Sequence, residues 1–242
     1  MTVVRVLGIG MGPQHVTPEV AAALAGCDYV AALEKRDDDP LLAVRRTIAD
    51  AAGVPTVVVA DPPRDRTVAD DAAYGDAVAA WHDARAAALG EVLAARGGVA
   101  GLLVWGDPSL YDSTLRLLER IAVVLPLEVE VLPGISAPQA LAARHGVVLH
   151  GVGEPVVVTT ARRLPEAVAA RHPNVVVMLT GEPDYAGAED WTAWWGANLG
   201  APTEELLHGR VGDLLPAMGA ARARARAAAG WVMDLALLRP PA

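Results

Sequence analysis

The sequence predicts an α/β protein with two α/β domains, the first on a mainly parallel sheet and the second on a mixed sheet, with a ligand crevice between them. Three observations lead to this prediction. Short β-branched runs alternate with alanine-rich helical patterns nearly from end to end, which is typical of βαβ units. Three of the runs end in glycine-containing turns that lead directly into helices. The 242 residues suffice for two domains of roughly 100–200 residues each.

The first domain is predicted to span residues 1–148. The alternation of its short strands with helices predicts a mainly parallel sheet that is buried on both faces. Thr17 and Asp39 stand directly before Pro18 and Pro40, so each pair predicts a helix N-cap followed by a first-turn proline. The predicted strands are 3–9, 29–33, 56–60, 100–105 and 128–132, and the predicted helices are 18–25, 40–51, 68–96, 109–124 and 136–144.

The second domain, residues 149–242, follows a glycine-rich stretch at 145–155 that is the candidate linker. Strands are predicted at 156–160, 175–179, 204–207 and 231–238, and helices at 165–171 and 214–229. Residues 182–200 are interpreted as a long loop whose Trp191, Trp194 and Trp195 serve a function or pack at an interface.

Composition excludes several functional classes. A net charge of -9 argues against a nucleic-acid surface, which needs a basic field. Arg222, Arg224 and Arg226 cluster, but their alanine neighbours favour a solvated helix face. The single cysteine excludes an intramolecular disulfide, and no window reaches the ~18 apolar residues of a membrane helix. We therefore expect a cytoplasmic protein that binds neither nucleic acid nor membrane. The six histidines show no metal-ligand spacing, so no metal is expected.

The three glycine-bearing strand exits carry the functional signal. They read Gly-Ile-Gly-Met-Gly-Pro at 8–13, Trp-Gly-Asp-Pro at 105–108 and Leu-Pro-Gly-Ile-Ser-Ala at 132–137. Ligand crevices form at the carboxyl ends of strands in open α/β sheets, and glycine lets a ligand approach the backbone closely. Pro13 stands where a dinucleotide-binding G-x-G-x-x-G motif needs its last glycine, which argues against an NAD(P) oxidoreductase. Asp107 is placed on the rim, where its carboxylate can accept a hydrogen bond from a ligand, and Ser136 is a candidate N-cap.

In order and spacing, these motifs resemble those of the tetrapyrrole (precorrin) methyltransferases, which use S-adenosylmethionine. The resemblance covers essentially the whole chain. The segments 104–114, 140–145, 153–160, 195–209 and 230–234 further resemble the deacetylating members of that family. This resemblance implies a homodimeric enzyme that methylates precorrin-5 at C-1 and releases acetate to give precorrin-6A. In the first loop, Met11 replaces the family's usual proline and one residue is missing before Pro13.

The resemblance also implies where the cofactor binds: at Met11, Gly106, Asp107, Leu110, Ser136, Ala137, Thr180 and Gly209. The family commonly has methionine at the position of Thr180. Because a precorrin carries many carboxylates, we expect a local basic patch, for which Arg162 and Arg163 are the candidates, with Arg64 and Arg66 in a polar loop.

Catalytic residues stay unassigned at this point. Acetate release requires water to attack an acetyl carbonyl, and His150 and Asp112 are candidate bases. Three alternatives stay open: methylation of another precorrin ring position, an NAD(P)-dependent oxidoreductase, and a non-catalytic module that binds a small molecule or a partner through the Trp191–Trp195 surface.

Overall fold

The structure, a computed structural model, describes residues 2–35, 39–63, 71–181 and 184–241. The chain divides into two compact units, Met1–Ile135 and Ser136–Ala242. This division places the helix at 137–145 in the second unit, whereas the boundary expected from sequence lies after residue 148. In the described ranges, every helix is too short or too polar to cross a membrane.

The first unit contains a five-stranded, entirely parallel sheet in the order β3-β2-β4-β1-β5. Strand β1 lies between β4 and β5, with Val6 opposite Leu102 on one side and Val131 on the other. The carboxyl ends of these three strands are therefore neighbours. The strands are β1 (Thr2–Gly8), β2 (Tyr29–Glu34), β3 (Thr56–Ala60), β4 (Val99–Val104) and β5 (Leu127–Leu132), and the helices are α1 (Pro18–Ala25), α2 (Pro40–Ala51), α3 (Asp71–Arg96) and α4 (Thr114–Ala122).

The predicted N-caps of the first two helices are confirmed. The Thr17 hydroxyl accepts the Val20 N–H at 3.2 Å, and the Asp39 carboxylate accepts the Leu41 N–H at 2.9 Å. Each satisfies an N–H group that has no partner within its helix. The predicted start of the third helix, residues 68–70, lies outside the described residues.

The predicted helix at 109–124 is wrong in its first turn. The Asp107 carboxylate accepts the Ser109 N–H at 2.9 Å, and Tyr111 has φ +52°, which no right-handed helix contains. Asp112 then accepts the Thr114 N–H at 2.6 Å, and α4 begins at Thr114. Local side-chain bonds replace the helix here, so residues 109–113 form a turn at the end of the sheet.

The second unit contains a mixed sheet in the order β6-β7-β10-β8-β9, in which only β6 and β7 are parallel. The prediction of two α/β domains, one parallel and one mixed, is confirmed. The strands are β6 (Val157–Thr160), β7 (Val175–Met178), β8 (Thr192–Ala197), β9 (Glu205–Arg210) and β10 (Asp234–Arg239), and the helices are α5 (Ala137–His145), α6 (Leu164–Ala169) and α7 (Val211–Ala229).

The long loop predicted at 182–200 is wrong for its second half, which forms β8. Alternate residues of this strand, Ala193, Trp195 and Ala197, are fully buried in the core of the second unit, and Trp191 is 3% exposed. Trp194 is half-buried and stacks on His208, with ring centroids 5.0 Å apart. These tryptophans therefore stabilise the sheet and do not form an exposed partner surface.

Strand β10 begins three residues later than predicted because Asn198 holds the preceding segment. Asn198, fully buried with φ +48°, accepts the Met233 N–H at 2.9 Å through its side chain. Its amide group donates to the carbonyl of Trp231 at 3.3 Å and to the hydroxyl of Thr203 at 3.1 Å. Residues 231–233 are thus bonded to one side chain before the chain enters the sheet at Asp234.

Candidate functional site

The three predicted strand exits meet at the carboxyl edge of the first sheet. Beyond β1 and β4, Gly10 and Gly106 form an isolated bridge in which each N–H donates to the other's carbonyl, at 3.2 and 2.8 Å. The Gly134 N–H, after β5, donates to the Asp107 carboxylate at 3.0 Å. Residues 8–13, 105–108 and 132–135 of these sequence motifs therefore contribute to one continuous rim in the first unit.

The rim depends on glycine because its strand exits are in backbone contact. A Cβ atom on Gly134 would lie 2.7 and 2.8 Å from the carbonyl carbon and Cα of Gly8, and still closer to the Gly106 carbonyl oxygen. A Cβ on Gly8 would in turn lie 2.5 Å from the Gly134 nitrogen. Side chains at these positions would separate strands that the sheet holds together.

Asp107 joins two of the loops through both of its carboxylate oxygens. One oxygen accepts the Ser109 N–H and hydroxyl, and the other accepts the Gly134 N–H. Partial burial alone would raise the pKa of Asp107, but the hydrogen bonds from Ser109 and Gly134 outweigh it and hold the pKa below its ordinary value. Asp107 is thus an ionised connector within the protein, and each oxygen keeps limited capacity for a ligand.

Met11, in the loop that departs from the family pattern, is 8% exposed and fixed by His15. The Met11 N–H donates to His15 Nδ1 at 3.1 Å, and His15 also packs closely on Gly10, which has φ +58°. Since Nδ1 accepts this bond, the neutral imidazole carries its proton on Nε2. The Met11 amide is consequently engaged within the loop.

The turn between β4 and α4 carries Leu110 and Tyr111 close in sequence to the rim residue Asp107. Leu110 is half-buried and its N–H donates to the Asp107 carbonyl at 3.1 Å. Tyr111 has a left-handed backbone, and its side chain is 43% exposed, so burial of the ring does not offset that conformation. Left-handed bulky residues cost about 1–3 kcal/mol and cluster at functional sites. Tyr111 is therefore an additional residue of interest that the sequence motifs did not single out.

In the second unit, Ser136 and Ala137 begin helix α5. Ser136 and Gln139 form a capping box, in which the Gln139 side-chain oxygen accepts the Ser136 N–H at 3.0 Å. The predicted N-cap is confirmed. Ala137 is the first helical residue, and its N–H therefore has no acceptor within the helix.

Thr180 follows β7 and contacts a buried ion pair that the sequence analysis missed. Arg222 Nη1 donates to the Thr180 carbonyl and hydroxyl, both at 3.4 Å, and is paired with Asp234. Trp195 Nε1 donates to the other Asp234 oxygen at 3.1 Å. The interpretation of Arg222 as part of a solvated helix face is wrong, because its side chain is 9% exposed.

The remaining predicted residues of the second unit lie in exposed or half-buried positions. Gly209, within β9, pairs with Ala193 and has φ +150°. Arg162 and Arg163 are exposed in the 3-10 turn after β6, and Arg163 donates to Glu166 at 2.9 Å. The other candidate arginines, Arg64 and Arg66, lie outside the described residues.

The two candidate bases are in different units. His150 is exposed, and its Nδ1 lies 2.9 Å from the Gly151 carbonyl oxygen. Nδ1 therefore carries the proton of the neutral ring, which leaves Nε2 able to accept another. Asp112 uses one oxygen to cap α4 and is close enough to Arg45 for their charges to interact. Within the described ranges, His, Cys, Asp and Glu form no group of three or more that would hold a metal ion.

The family model for tetrapyrrole (corrin/porphyrin) methylases matches residues 3–215. The chain belongs to this family. It is 39% identical to the Sinorhizobium sp. protein named precorrin-6A synthase [deacetylating], over 99% of this chain and 95% of that protein. A cobalamin-synthesis-related protein from Corynebacterium diphtheriae has a similar structure, with TM-score 0.81, 36% identity and coverage of 99% and 98% of the two chains.

More distant structures share the fold of this tetrapyrrole methylase. Thermus thermophilus uroporphyrin-III C-methyltransferase, solved in complex with S-adenosylhomocysteine, aligns with TM-score 0.61 and 17% identity, over 98% of this chain and 91% of that one.

For the tetrapyrrole methylase described here, two parts of the candidate site were not predicted. Tyr111 and Leu179 have positive φ angles, and positive φ angles cannot be predicted from a tyrosine or a leucine. Arg222 had a detectable signal: it lies four residues after Met218 and three before Ala225, both buried, whereas Arg224 is off that face. Helical spacing therefore separates Arg222 from Arg224, although not from Arg226, which lies four residues further on and is exposed.

Proposed function

We propose that the protein is an S-adenosylmethionine-dependent C-methyltransferase of corrin biosynthesis, which methylates precorrin-5 at C-1 and releases acetate to give precorrin-6A. The observation that carries the proposal is the 39% identity to a precorrin-6A synthase over nearly both full chains. The glycine-lined rim at the carboxyl edge of the first sheet supports it, because this edge is where α/β proteins bind small ligands.

We propose the rim residues of the first unit, Met11, Gly106, Asp107 and Leu110, as cofactor contacts. The N–H groups of Gly10, Met11, Gly106 and Gly134 are engaged within the protein. The rim therefore meets a ligand mainly with carbonyl oxygens, glycine Cα surfaces and the Leu110 side chain. This donor-poor surface suits a ligand that is rich in donors, and the methyl donor brings an ammonium group and an exocyclic amine. From the second unit we propose Ser136, Ala137, Thr180 and Gly209.

The methyl donor is already activated, because its sulfonium sulfur leaves with the electron pair of the S–CH3 bond while the ring carbon forms the new bond. The protein's task is orientation and exclusion of water, for which a rigid, glycine-packed rim is suited. Acetate release needs water to add to the acetyl carbonyl and a base to accept its proton. His150 Nε2 and the second oxygen of Asp112 are the candidates for that base.

Calorimetric titration with S-adenosylhomocysteine, and with NADH in parallel, tests the proposed class. We expect stoichiometric binding of the homocysteine ligand, none of NADH, and loss of binding in Asp107→Ala. Anaerobic turnover of precorrin-5 should then yield one acetate per methyl group transferred. Methylation without acetate would indicate a different ring position, and NADH binding alone would refute the methyltransferase assignment.

We also propose a tetrapyrrole contact at Arg162 and Arg163, whose exposed guanidinium groups suit the substrate's carboxylates. The double substitution to alanine should weaken tetrapyrrole binding and leave S-adenosylhomocysteine binding unchanged. Equal tetrapyrrole affinity would contradict this contact.

Finally, we propose that the enzyme is a cytoplasmic homodimer that needs no metal and binds neither nucleic acid nor membrane. The acidic net charge of -9 supports the absence of nucleic-acid binding. Sedimentation at micromolar concentration tests the dimer, and a monomer would contradict it.

A further inference from the structure

A buried ion pair lies at the turn that follows β7. The side chains of Arg222 and Asp234 are 9% and 2% exposed, so most of their surface is removed from water. Burying a charged pair is costly unless its remaining hydrogen bonds are satisfied. Here Asp234 also accepts the indole N–H of Trp195 at 3.1 Å, while Arg222 reaches the carbonyl and hydroxyl of Thr180. The pair thus connects helix α7, strand β10 and the turn.

The turn itself has an unfavourable conformation. Leu179 has φ +55°, a left-handed backbone that a bulky residue adopts at a cost of about 1–3 kcal/mol. Its side chain is 64% exposed, so burial of its own apolar surface does not compensate. In contrast, Thr180 is 8% exposed and bonded to Arg222. The Thr180 contacts therefore hold a turn that Leu179 alone would not maintain.

The direction of the next peptide group follows from these contacts. The peptide between Thr180 and Gly181 is trans and planar, so its carbonyl and its N–H point in opposite directions. Arg222 holds the Thr180 carbonyl toward the buried pair. The Gly181 N–H consequently points away from it, on an exposed residue.

We infer that Arg222, fixed by Asp234, is a positioning residue that holds residues 179–181 so that the Gly181 N–H is presented to a hydrogen-bond acceptor of the methyl donor. The inference rests on the proposed function for the identity of the ligand. The orientation of the turn stands on the Thr180 contacts alone. Arg222 acts through Thr180 and does not need to touch the ligand itself.

The test compares two variants with a matched control on the same helix. Arg222→Met combined with Asp234→Asn removes both charges together, and the new amide oxygen can still accept the Trp195 indole N–H. Arg222→Lys keeps a charge opposite Asp234 but lacks the planar group that reaches Thr180, so it serves if the double variant does not fold. Arg224→Met, which breaks an exposed pair with Glu205, is the control.

Two measurements are made on the full-length protein. We expect the Kd for S-adenosylhomocysteine to rise about tenfold in the double variant and between twofold and tenfold in Arg222→Lys, with the KM for the tetrapyrrole unchanged. The NMR order parameters of the Thr180 and Gly181 backbone amides in the ligand-free protein should fall, because the turn loses its contacts with Arg222. Arg224→Met should alter neither quantity.

The two readouts separate the inference from the proposed function. If the wild-type protein does not bind S-adenosylhomocysteine, the proposed function fails, while lower order parameters at Thr180 and Gly181 would still support the role of Arg222 in the turn. Affinity within twofold of wild type in a folded variant would overturn the inference. Unchanged order parameters at Thr180 and Gly181 would overturn it as well.

Discussion

Gly134→Ala should damage the rim more than any other single added methyl group there. The new Cβ would meet the Gly106 carbonyl oxygen and would lie 2.7 and 2.8 Å from two backbone atoms of Gly8. Real Cβ atoms essentially never approach other heavy atoms within 3.0 Å. All three obstacles are backbone atoms of paired strands or their exits, so no side-chain rotation relieves the contacts.

The expected cost follows from that geometry. Inserting a methyl group into a packed site typically lowers the free energy of unfolding by about 1–3 kcal/mol. Because three backbone atoms obstruct this site, we expect a loss of about 3 kcal/mol. In a protein of this size, 1 kcal/mol lowers Tm by about 2–4 °C, so we expect a fall of roughly 6–12 °C. Because the strand exits must separate, the affinity for S-adenosylhomocysteine should fall as well.

Gly75→Ala is the matched control, since it adds the same methyl group to helix α3 of the same unit with no atom within 4 Å. Alanine is favoured over glycine inside helices by about 1 kcal/mol, so this variant should be slightly more stable than wild type. Scanning calorimetry gives Tm, and titration gives the ligand Kd. A Gly134→Ala protein with Tm within 2 °C of wild type and unchanged affinity would refute the packing argument.

Three other substitutions test separate contacts. Tyr185→Phe should raise Tm by about 2–4 °C, because the buried hydroxyl of Tyr185 has no partner among the described residues; a lower Tm would contradict this. Asn198→Asp should cost roughly 3 kcal/mol in urea unfolding, since it places a carboxylate oxygen against the Trp231 carbonyl; a cost under about 1 kcal/mol would refute it. Asp107→Asn should destabilise at neutral pH. The lowered pKa of Asp107 makes its contribution present above the unfolded pKa and lost as pH falls through the folded one, so the difference from wild type should shrink below about pH 4; a pH-independent difference would contradict this.

The fold was accessible from sequence wherever hydrophobic pattern and turn chemistry agreed. Strands β1 and β4 are mostly apolar runs, with Gly8 at the end of β1 and Gly106 shortly after β4, and the caps at Thr17 and Asp39 mark helix starts. Strand β8 was missed because its tryptophans and small residues were interpreted as part of a long loop. The burial of every second residue, Ala193, Trp195 and Ala197, is the pattern of a strand. The turn at 109–113 was missed because the local bonds of Asp107 and Asp112 compete with the helix, and no sequence pattern marks the left-handed backbone of Tyr111.

The sequence predicted which loops form the candidate site, but it did not predict the hydrogen bonds between those loops. Sequence places Gly10, Gly106 and Asp107 at strand ends, and the parallel sheet brings those ends together. It does not reveal that the loop amides bond to one another, because that pairing depends on strand order. Arg222 was misinterpreted because the three arginines were treated as one cluster, although its spacing from the buried Met218 and Ala225 sets it apart from Arg224.

The reciprocal bridge between Gly10 and Gly106 has a kinetic consequence. Each glycine amide is held by the other loop, so neither can be released unless both bonds open. The two amide protons should therefore exchange with solvent at similar rates, through one shared opening event. The first and second loops then fluctuate as a single cooperative element, and a ligand that contacts either loop slows the opening of both.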